Sequence, residues 1–393
     1  MNIRLILSSV LAAIAYLATA EEPGRFTISG HVTNVPDSTS LSLYRSSGKL
    51  LKTIATDTII NGQIHFTDTV SGPKQQYLLS GESRGLPTWL VPIWVEPGAE
   101  ITVSGDGIMY PLWEFGSTVP EQASESALTK ATLPEFTELL RLQTEETEII
   151  KHLFIDLKGA PEHQPSHWAR IDSIRALSAP LLKTMDIKKL VYLGSAPIDQ
   201  VWLNVFSEYA ETVYSNPESD LAEPVRAIYG RLTPEILESE TGQKIKAYLT
   251  SGSILAEGDC MIDGILYDTQ GRSHSLAEFS GKHILLDFWS RGCGPCIASM
   301  PEAEEVAAQH ADRLAIVSIS LDTEADWKDF LAGKDSNVFH WNELSDRRPG
   351  LAERYGAFGI PYYVLISPDG TIISKWSGYG HGSLHQQVST LLK

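Results

Sequence analysis

Two of the three cysteines in this 393-residue chain, Cys293 and Cys296, stand three positions apart in the stretch "DFWSRGCGPCIASMP". Thiols at this spacing can form a reversible disulfide. Once the first thiol has formed a mixed disulfide with another molecule, the second is close enough to attack it. They can also supply half of a zinc site or a purely structural cross-link. A zinc site needs two further ligands, and the sequence has no second closely spaced cysteine pair. A cross-link around so short a loop constrains the unfolded chain little, so the spacing favours a redox couple.

The elements around the pair predict a different role for each thiol. The apolar run "HILLDFW" predicts a buried strand, and "CIASMPEAEEVAAQHA" predicts a helix whose first turn tolerates Pro295. Cys293 then stands at the helix N-terminus, where free N–H groups and the helix dipole favour a thiolate. Cys296 lies one turn further along. We predict that Cys293 attacks a client disulfide and that Cys296 resolves the mixed disulfide.

The last third of the chain, residues 253–393, alternates strands with helices. The elements predicted after the first strand and helix are a buried strand at "LAIVSISL", a helix at "EADWKDFLAG", a hairpin at "PYYVLISPDGTIISKWSG" that turns at Asp369-Gly370, and a helix at "SLHQQVSTLL". This order predicts an α/β sheet that helices cover on both faces.

Two further regions precede it, so the chain is predicted to be multidomain. Residues 21–118 consist of short alternating segments such as "FTISGHV" and "EITVSGD", which predict an all-β antiparallel sandwich or open barrel of about seven strands. Residues 119–252 change to helical spacing, with Thr233 as an N-cap before Pro234. This middle region is predicted to be a helical bundle or a set of helical arms, and it shows no catalytic constellation.

The first twenty residues, "MNIRLILSSVLAAIAYLATA", combine a basic start with an apolar stretch and small residues before the end. They predict a signal peptide, residues 1–20, with cleavage after Ala20. No other run is long and apolar enough to insert into a membrane. A formal net charge of −18 argues against nucleic acid and anionic membranes as partners. We therefore expect an exported, soluble protein, placed in the periplasm of a Gram-negative-type bacterium.

The cysteine stretch resembles the thioredoxin active site, and residues 258–393 are similar to exported thioredoxin-like proteins of the TlpA/ResA type in the AhpC/TSA superfamily. The similarity rests on "GRSHSLAEFSGKHILLDFW", on "CGPC" with Pro301 in the helix after it, and on "FGIPYYVLISPDG". It implies a thioredoxin fold and a thiol-disulfide oxidoreductase. The N-terminal segment looks like an uncharacterised β domain that is often attached to such domains.

The resemblance also implies roles for single residues. Cys293 matches the attacking cysteine, Cys296 the resolving one, and Asp287 the buried carboxylate that takes the proton from the resolving thiol. Burial in an apolar strand would raise the pKa of Asp287 and make it a usable base, whereas the alternative is an aspartate at a strand end that faces water. Pro361 matches a cis-proline opposite the active site. The positions implied to contact the client are Trp289, Gly294, Pro295, Ile360 and Pro361, with packing under the site as the other role open to Trp289.

Four positions depart from the family or stand apart from its pattern. Gly292 replaces an aromatic residue that often precedes the first cysteine. Ser299 stands where ResA-like reductases carry a glutamate, which argues against a specialised role in cytochrome c maturation. Arg291 could further acidify Cys293. Cys260, near the start of the domain, is expected to be a buried free thiol, and a regulatory or intermolecular disulfide is the alternative.

The Gly-Pro pair between the cysteines resembles that of thioredoxin, whose reduction potential is about −270 mV. It is less similar to the pairs of strong oxidants, whose potentials are about −120 mV. We therefore predict a reductase or isomerase of disulfides in exported proteins. The family implies a membrane thiol reductase as electron donor. No metal and no cofactor besides the Cys293–Cys296 disulfide is expected.

Two alternatives stay open. A thiol peroxidase of the peroxiredoxin type would use Ser290 as its hydroxyl residue, but Leu286 occupies the position of the proline in that motif. A cell-envelope binding protein with a subsidiary redox domain would use the first two regions to grip a ligand or partner. A homodimer also stays open.

Overall fold

The structure is a computed structural model that describes residues 24–47, 50–156, 165–250, 252, 254–345 and 349–392. The predicted signal peptide, residues 1–20, lies outside the described residues. Among the described helices, none is both long and apolar enough to cross a membrane.

The first region is a sandwich of two four-stranded sheets. Within the described residues its strands are β1 (Gly24–Thr33), β2 (Ser40–Ser47), β3 (Leu50–Thr58), β4 (Gln63–Val70), β5 (Gln75–Gly81), β6 (Val91–Val95), β7 (Glu100–Asp106) and β8 (Glu114–Ser117). The sheets have the orders β4-β1-β7-β8 and β3-β2-β5-β6. Buried side chains from both sheets, including Phe26, Leu43 and Tyr77, form one core. The predicted all-β sandwich is confirmed, but it is not purely antiparallel, because β1 pairs with β7 in parallel.

The middle region is helical, as predicted. Its helices are α1 (Pro120–Ala131), α2 (Leu133–Lys151), α3 (Pro165–Ser195), α4 (Gln200–Ser215), α5 (Ala222–Tyr229), α6 (Pro234–Glu238) and α7 (Glu240–Thr250). Lys188 pairs with Glu135 and Arg170 with Glu145, so α3 runs antiparallel to α2. The predicted N-cap Thr233 accepts the N–H of Ile236. Where the domains divide, near residues 118 and 252, stays a prediction.

The last region contains a seven-stranded sheet of order β10-β9-β13-β12-β11-β14-β15. Its strands are β9 (Leu266–Tyr267), β10 (Ser273–His274), β11 (His283–Trp289), β12 (Leu314–Ser320), β13 (Phe339–Asn342), β14 (Tyr362–Ile366) and β15 (Ile372–Ser377). Its helices are α8 (Gly294–Gln309), α9 (Glu324–Leu331), α10 (Leu351–Tyr355) and α11 (Ser383–Leu391). Strand β11 is parallel to β12 and antiparallel to β14, and β14 and β15 form the predicted hairpin.

Strand β11 is buried on both faces, and this places the helices. Successive side chains of a strand point to opposite faces. Leu286 and Phe288 pack with Tyr355 of α10 on one face, and Leu285 packs with Val306 of α8 on the other. The predicted α/β sheet covered on both faces is therefore confirmed, and α8 begins at the end of β11 that carries the cysteines.

Candidate active site

A disulfide joins Cys293 and Cys296 at the start of α8, with 5.2 Å between their Cα atoms. Cys293 is the N-cap of the helix, and its sulfur accepts the N–H of Cys296 at 3.2 Å. Gly294 and Pro295 form the exposed first turn, where a proline costs no helical hydrogen bond. Cys293 is half-buried and Cys296 is 1% exposed. The first sulfur is therefore accessible from solvent and the second is not.

Asp322 holds the loop that precedes Cys293. Its buried carboxylate accepts a hydrogen bond from the Ser290 hydroxyl at 2.6 Å and another from the Arg291 N–H at 2.7 Å. Sequence reasoning missed this residue. The signal was its place directly after the buried strand β12, because parallel neighbours such as β11 and β12 end at the same edge of the sheet, where sites form.

Asp287 lies beneath α8 and is 3% exposed. It points to the same face of β11 as Leu285, which contacts α8, and Trp289, which packs with Cys296. One carboxylate oxygen accepts the Ser318 hydroxyl at 3.1 Å, and the other has no partner among the described residues. Burial raises the pKa of Asp287 from 3.8 to about 7, and the Ser318 hydrogen bond offsets only part of this rise. The predicted burial is confirmed, and the alternative of a water-facing aspartate is wrong.

Trp289 is completely buried, so the predicted contact with a client is wrong and the packing role is the one that the structure allows. The side chain packs against Cys296, Trp327 and Leu331. Helix α9, which supplies the last two of these residues, covers the indole. Local sequence could not show that cover, because it comes from a helix more than thirty positions away.

The Ile360–Pro361 peptide bond is cis, as the resemblance implies. The carbonyl oxygen of Ile360 lies 3.7 Å from the sulfur of Cys293. The loop before β14 therefore brings main-chain atoms directly beside the half-exposed sulfur.

Ser299 and Arg291, two of the positions that stand apart from the family pattern, each have local partners. Ser299 is buried and its hydroxyl donates to the Cys296 carbonyl at 2.8 Å, so it stabilises the active-site helix. Arg291 pairs with Asp326 at 3.2 Å and with Asp329 at 3.5 Å. Because two carboxylates compensate its charge, Arg291 has little left with which to acidify Cys293.

Cys260 is exposed, so the predicted buried thiol is wrong. The chain reaches it through a surface turn, and the neighbouring Met261 and Ile262 pack against the core in its place. An irregular segment has no periodic pattern from which the inward side could be read.

In the described part of the chain, no group of three or more histidine, cysteine, aspartate or glutamate side chains could hold a metal ion. The two sulfurs of the candidate site are bonded to each other.

Comparison with known proteins places this geometry in a family. The AhpC/TSA family matches residues 258–375. The thiol-disulfide oxidoreductase ResA of Geobacillus thermodenitrificans (strain NG80-2) is 36% identical over 126 residues, which are 32% of this chain and 71% of that protein. The chain belongs to the ResA-type thioredoxin-like proteins. The predicted enzyme class, a thiol-disulfide oxidoreductase, is thereby confirmed.

Two further similarities of this ResA-type protein lie in the same region. A thioredoxin of Mycolicibacterium smegmatis is 43% identical over 114 residues, which are 29% of this chain and 81% of that protein. The crystal structure of the thioredoxin domain of a thiol-disulfide oxidoreductase from Bacteroides vulgatus is 28% identical, and the match covers 35% of this chain and 99% of that one, with a TM-score of 0.32. The β sandwich and the helical region precede the segment that the AhpC/TSA family matches.

Proposed function

We propose that this ResA-type protein reduces or isomerises disulfides of exported client proteins through Cys293 and Cys296. One observation carries the proposal: a half-exposed sulfur caps α8, while its partner is buried in the same turn, above a carboxylate whose pKa is about 7. This arrangement separates an attacking sulfur from a resolving sulfur and supplies a base for the second.

The reaction starts from the reduced form. The Cys293 thiolate attacks one sulfur of the client disulfide, so a bond forms between Cys293 and the client while the other client sulfur leaves as a thiolate. Cys296 then loses its proton and attacks Cys293. The mixed disulfide breaks, the second client sulfur leaves, and the Cys293–Cys296 disulfide forms. The client gains the two electrons that the pair of cysteines loses.

The N-terminus of α8 supports the first step. The N–H of Cys296 points at the Cys293 sulfur, and the helix dipole adds positive potential at the same place. Both stabilise a thiolate more than a thiol, so Cys293 is the better placed of the two sulfurs to attack a client.

Asp287 supports the second step. Cys296 is buried, and a thiol has an ordinary pKa of about 8.5, so it needs a base to become a nucleophile near neutral pH. A carboxylate with a pKa of about 7 is matched to that task. Its place beneath α8, on the same strand face as a residue that packs with Cys296, puts it on the correct side of the helix.

The proposal also includes the direction of electron flow and the partners of the protein. The Gly-Pro pair supports a reduction potential of about −270 mV, as in thioredoxin, which would make the protein a reductase or isomerase. A reductase among exported proteins needs a supply of electrons, and a membrane thiol reductase is the proposed donor. Export to the periplasm, the homodimer and a ligand-gripping role for the first two regions stay predictions.

The test is to trap the mixed disulfide. In the Cys296→Ser variant the second step cannot occur, so clients should accumulate on Cys293 as adducts that a reductant releases. Because Cys260 is exposed, the experiment is done in a Cys260→Ser background, which removes adducts at that thiol. Cys293→Ser in the same background is the matched control and should trap nothing. If Cys296→Ser accumulates no reductant-sensitive adduct, the proposed mechanism is wrong.

A further inference from the structure

The loop 356–361, which carries Ile360 beside the disulfide, is held by a side chain from outside the thioredoxin fold. Tyr214 lies at the end of α4, and its ring centroid is 6.3 Å from that of Phe358, in an edge-to-face arrangement. Tyr214 is 5% exposed and packs on its other side against Tyr248 of α7. The helical region therefore fixes the ring that supports Phe358.

The segment that links the helical region to the thioredoxin fold braces the same loop from a second direction. The Leu255 N–H donates to the Arg354 carbonyl at 3.0 Å, and the Lys375 ammonium donates to the carbonyls of Leu255 and Tyr355. Gly356 has φ +88°, and a Cβ built there would be 3.1 Å from the Ile254 side chain. The loop is thus fixed at its start by main-chain and side-chain contacts and at Phe358 by the ring of Tyr214.

Phe358 nevertheless keeps one free face. Its side chain is 40% exposed, although it stands only two residues before Ile360. Two residues of chain span at most about 7 Å. A client whose cysteine lies at Cys293 would therefore have a neighbouring side chain within reach of the phenyl ring.

A cavity of about 410 Å³ opens at this place, between the helical region and the thioredoxin fold. Its wall on the helical side includes Glu211, one turn before Tyr214, and its apolar lining residues are Leu321, Leu344, Ala352, Ala357 and Phe358. The four carboxylates on the thioredoxin side have partners. Asp322 accepts hydrogen bonds from the active-site loop, Glu324 pairs with Lys328, and Glu343 and Glu353 accept the main-chain N–H groups of Leu351 and Gly350. Phe358 is the largest apolar side chain of this otherwise mostly polar lining, and the volume of the cavity is in the range of small ligand pockets.

We propose that the helical region forms one wall of the client groove, and that Phe358, positioned by Tyr214, receives an apolar client side chain next to the reacting cysteine. This inference rests on the proposed thiol-disulfide exchange and adds the substrate class. The preferred clients are polypeptide disulfides with an apolar residue close to the attacked cysteine. Small disulfides, which have no such side chain, do not use this surface.

The experiment compares two disulfide peptides that differ only in a leucine or a serine beside the attacked cysteine, with bis(2-hydroxyethyl) disulfide as the small substrate. The full-length protein should prefer the leucine peptide in kcat/KM by about tenfold, which is typical of one apolar side chain in a pocket. Phe358→Ala and Tyr214→Ala should each remove most of this preference through KM. Exchange with the small disulfide and the reduction potential should stay unchanged.

Two variants separate positioning from general stability. Tyr214→Phe keeps the ring and should keep the preference. Tyr209→Ala removes an equally buried ring from the same helix, but its hydroxyl bonds Asp186 within the helical region, so it should leave the preference unchanged.

Each outcome bears on one claim. If Phe358→Ala slows both peptides equally or changes neither, the apolar subsite is wrong. If Phe358→Ala removes the preference and Tyr214→Ala does not, the wall supplied by the helical region is wrong. If the unaltered protein fails to exchange with the small disulfide as well as with the peptides, the proposed function is wrong and this inference falls with it.

Discussion

Two buried carboxylates lie at the active-site helix, and their surroundings shift their pKa values in opposite directions. Asp287, on the strand beneath α8, is 3% exposed and receives a single hydrogen bond, from Ser318. Glu302, on α8 itself, is 7% exposed and receives three, from the Tyr379 hydroxyl at 2.8 Å, the Gly382 N–H at 2.9 Å and the His385 N–H at 2.8 Å.

The difference shows that burial alone does not make a carboxylate a proton acceptor. Burial acts to raise both pKa values. For Asp287 it dominates and raises the pKa to about 7, whereas for Glu302 the hydrogen bonds outweigh it and hold the pKa below its ordinary range. Glu302 is therefore charged at neutral pH and links α8 to the segment around α11, whereas Asp287 is the group that can exchange a proton near neutral pH.

The largest expected difference lies in how stability depends on pH. Asp287 has a pKa of 3.8 in ordinary surroundings and about 7 in the folded protein. Below the first value both states hold the proton, and between the two values the unfolded chain releases it first. Stability therefore falls as the pH rises through this window, by roughly 4 kcal/mol in all. Asp287→Asn should raise the urea midpoint of the oxidised protein at about pH 8 and leave it nearly unchanged at about pH 4.

Glu302→Gln is the control for this experiment. It also removes a buried charge, but one that is well compensated, so it should bring no gain at about pH 8. If Asp287→Asn and the unaltered protein have equal midpoints there, Asp287 is not desolvated as the structure describes.

The second difference is the stability that is lost when the carboxylate of Glu302 is removed. Glu302→Ala leaves two N–H donors and one hydroxyl without their acceptor, and we expect a loss of about 3 kcal/mol in the free energy of unfolding at neutral pH. Because the pKa of Glu302 is lowered in the folded state, this contribution is present above the ordinary value of 4.5 and is lost as the pH falls through the folded pKa.

Glu305→Ala is the matched control for that loss. Glu305 is exposed on the same helix, and its carboxylate lies 3.3 Å from Nε2 of His385. The substitution should change the free energy of unfolding by less than about 0.5 kcal/mol. If the two variants lost similar amounts of stability, Glu302 would be no more important for the fold than an ordinary surface carboxylate.

One half of this comparison could be predicted from sequence and the other could not. The run "HILLDFW" has apolar residues on both strand faces, so an aspartate within it had to be buried wherever the sheet was covered. Helical spacing places Glu302 on the face of Val306, but its three donors come from a segment about eighty residues later, so local sequence does not show its hydrogen bonds.

The same distinction explains the other outcomes at the site. The disulfide and its N-cap position follow from spacing within one turn, and they were predicted. Asp322 depends on which strand lies next to β11, and the burial of Trp289 depends on the packing of α9. Side chains whose surroundings come from distant segments are the ones that local sequence leaves undetermined.

The third difference is kinetic and decides whether Asp287 serves the reaction. Asp287→Asn should slow the attack of Cys296 on the mixed disulfide about 100-fold at neutral pH, because the buried thiol loses its base. In the unaltered protein this rate should rise with pH through about 7, as Asp287 ionises. In the variant this rise through about 7 should be absent, because the asparagine amide does not ionise. The measurement is a single turnover of reduced protein with a disulfide peptide, quenched with acid to separate mixed disulfide from product.

Glu302→Gln is again the control, because a carboxylate held by three donors has no proton to exchange near neutral pH. It should leave the decay of the mixed disulfide and its pH profile unchanged, and in both variants the first attack by Cys293 should keep its rate. If Asp287→Asn also left the decay unchanged, water would have to take the Cys296 proton directly. The raised pKa of Asp287 would then be a penalty of burial without a catalytic role, and the two carboxylates would differ in stability alone.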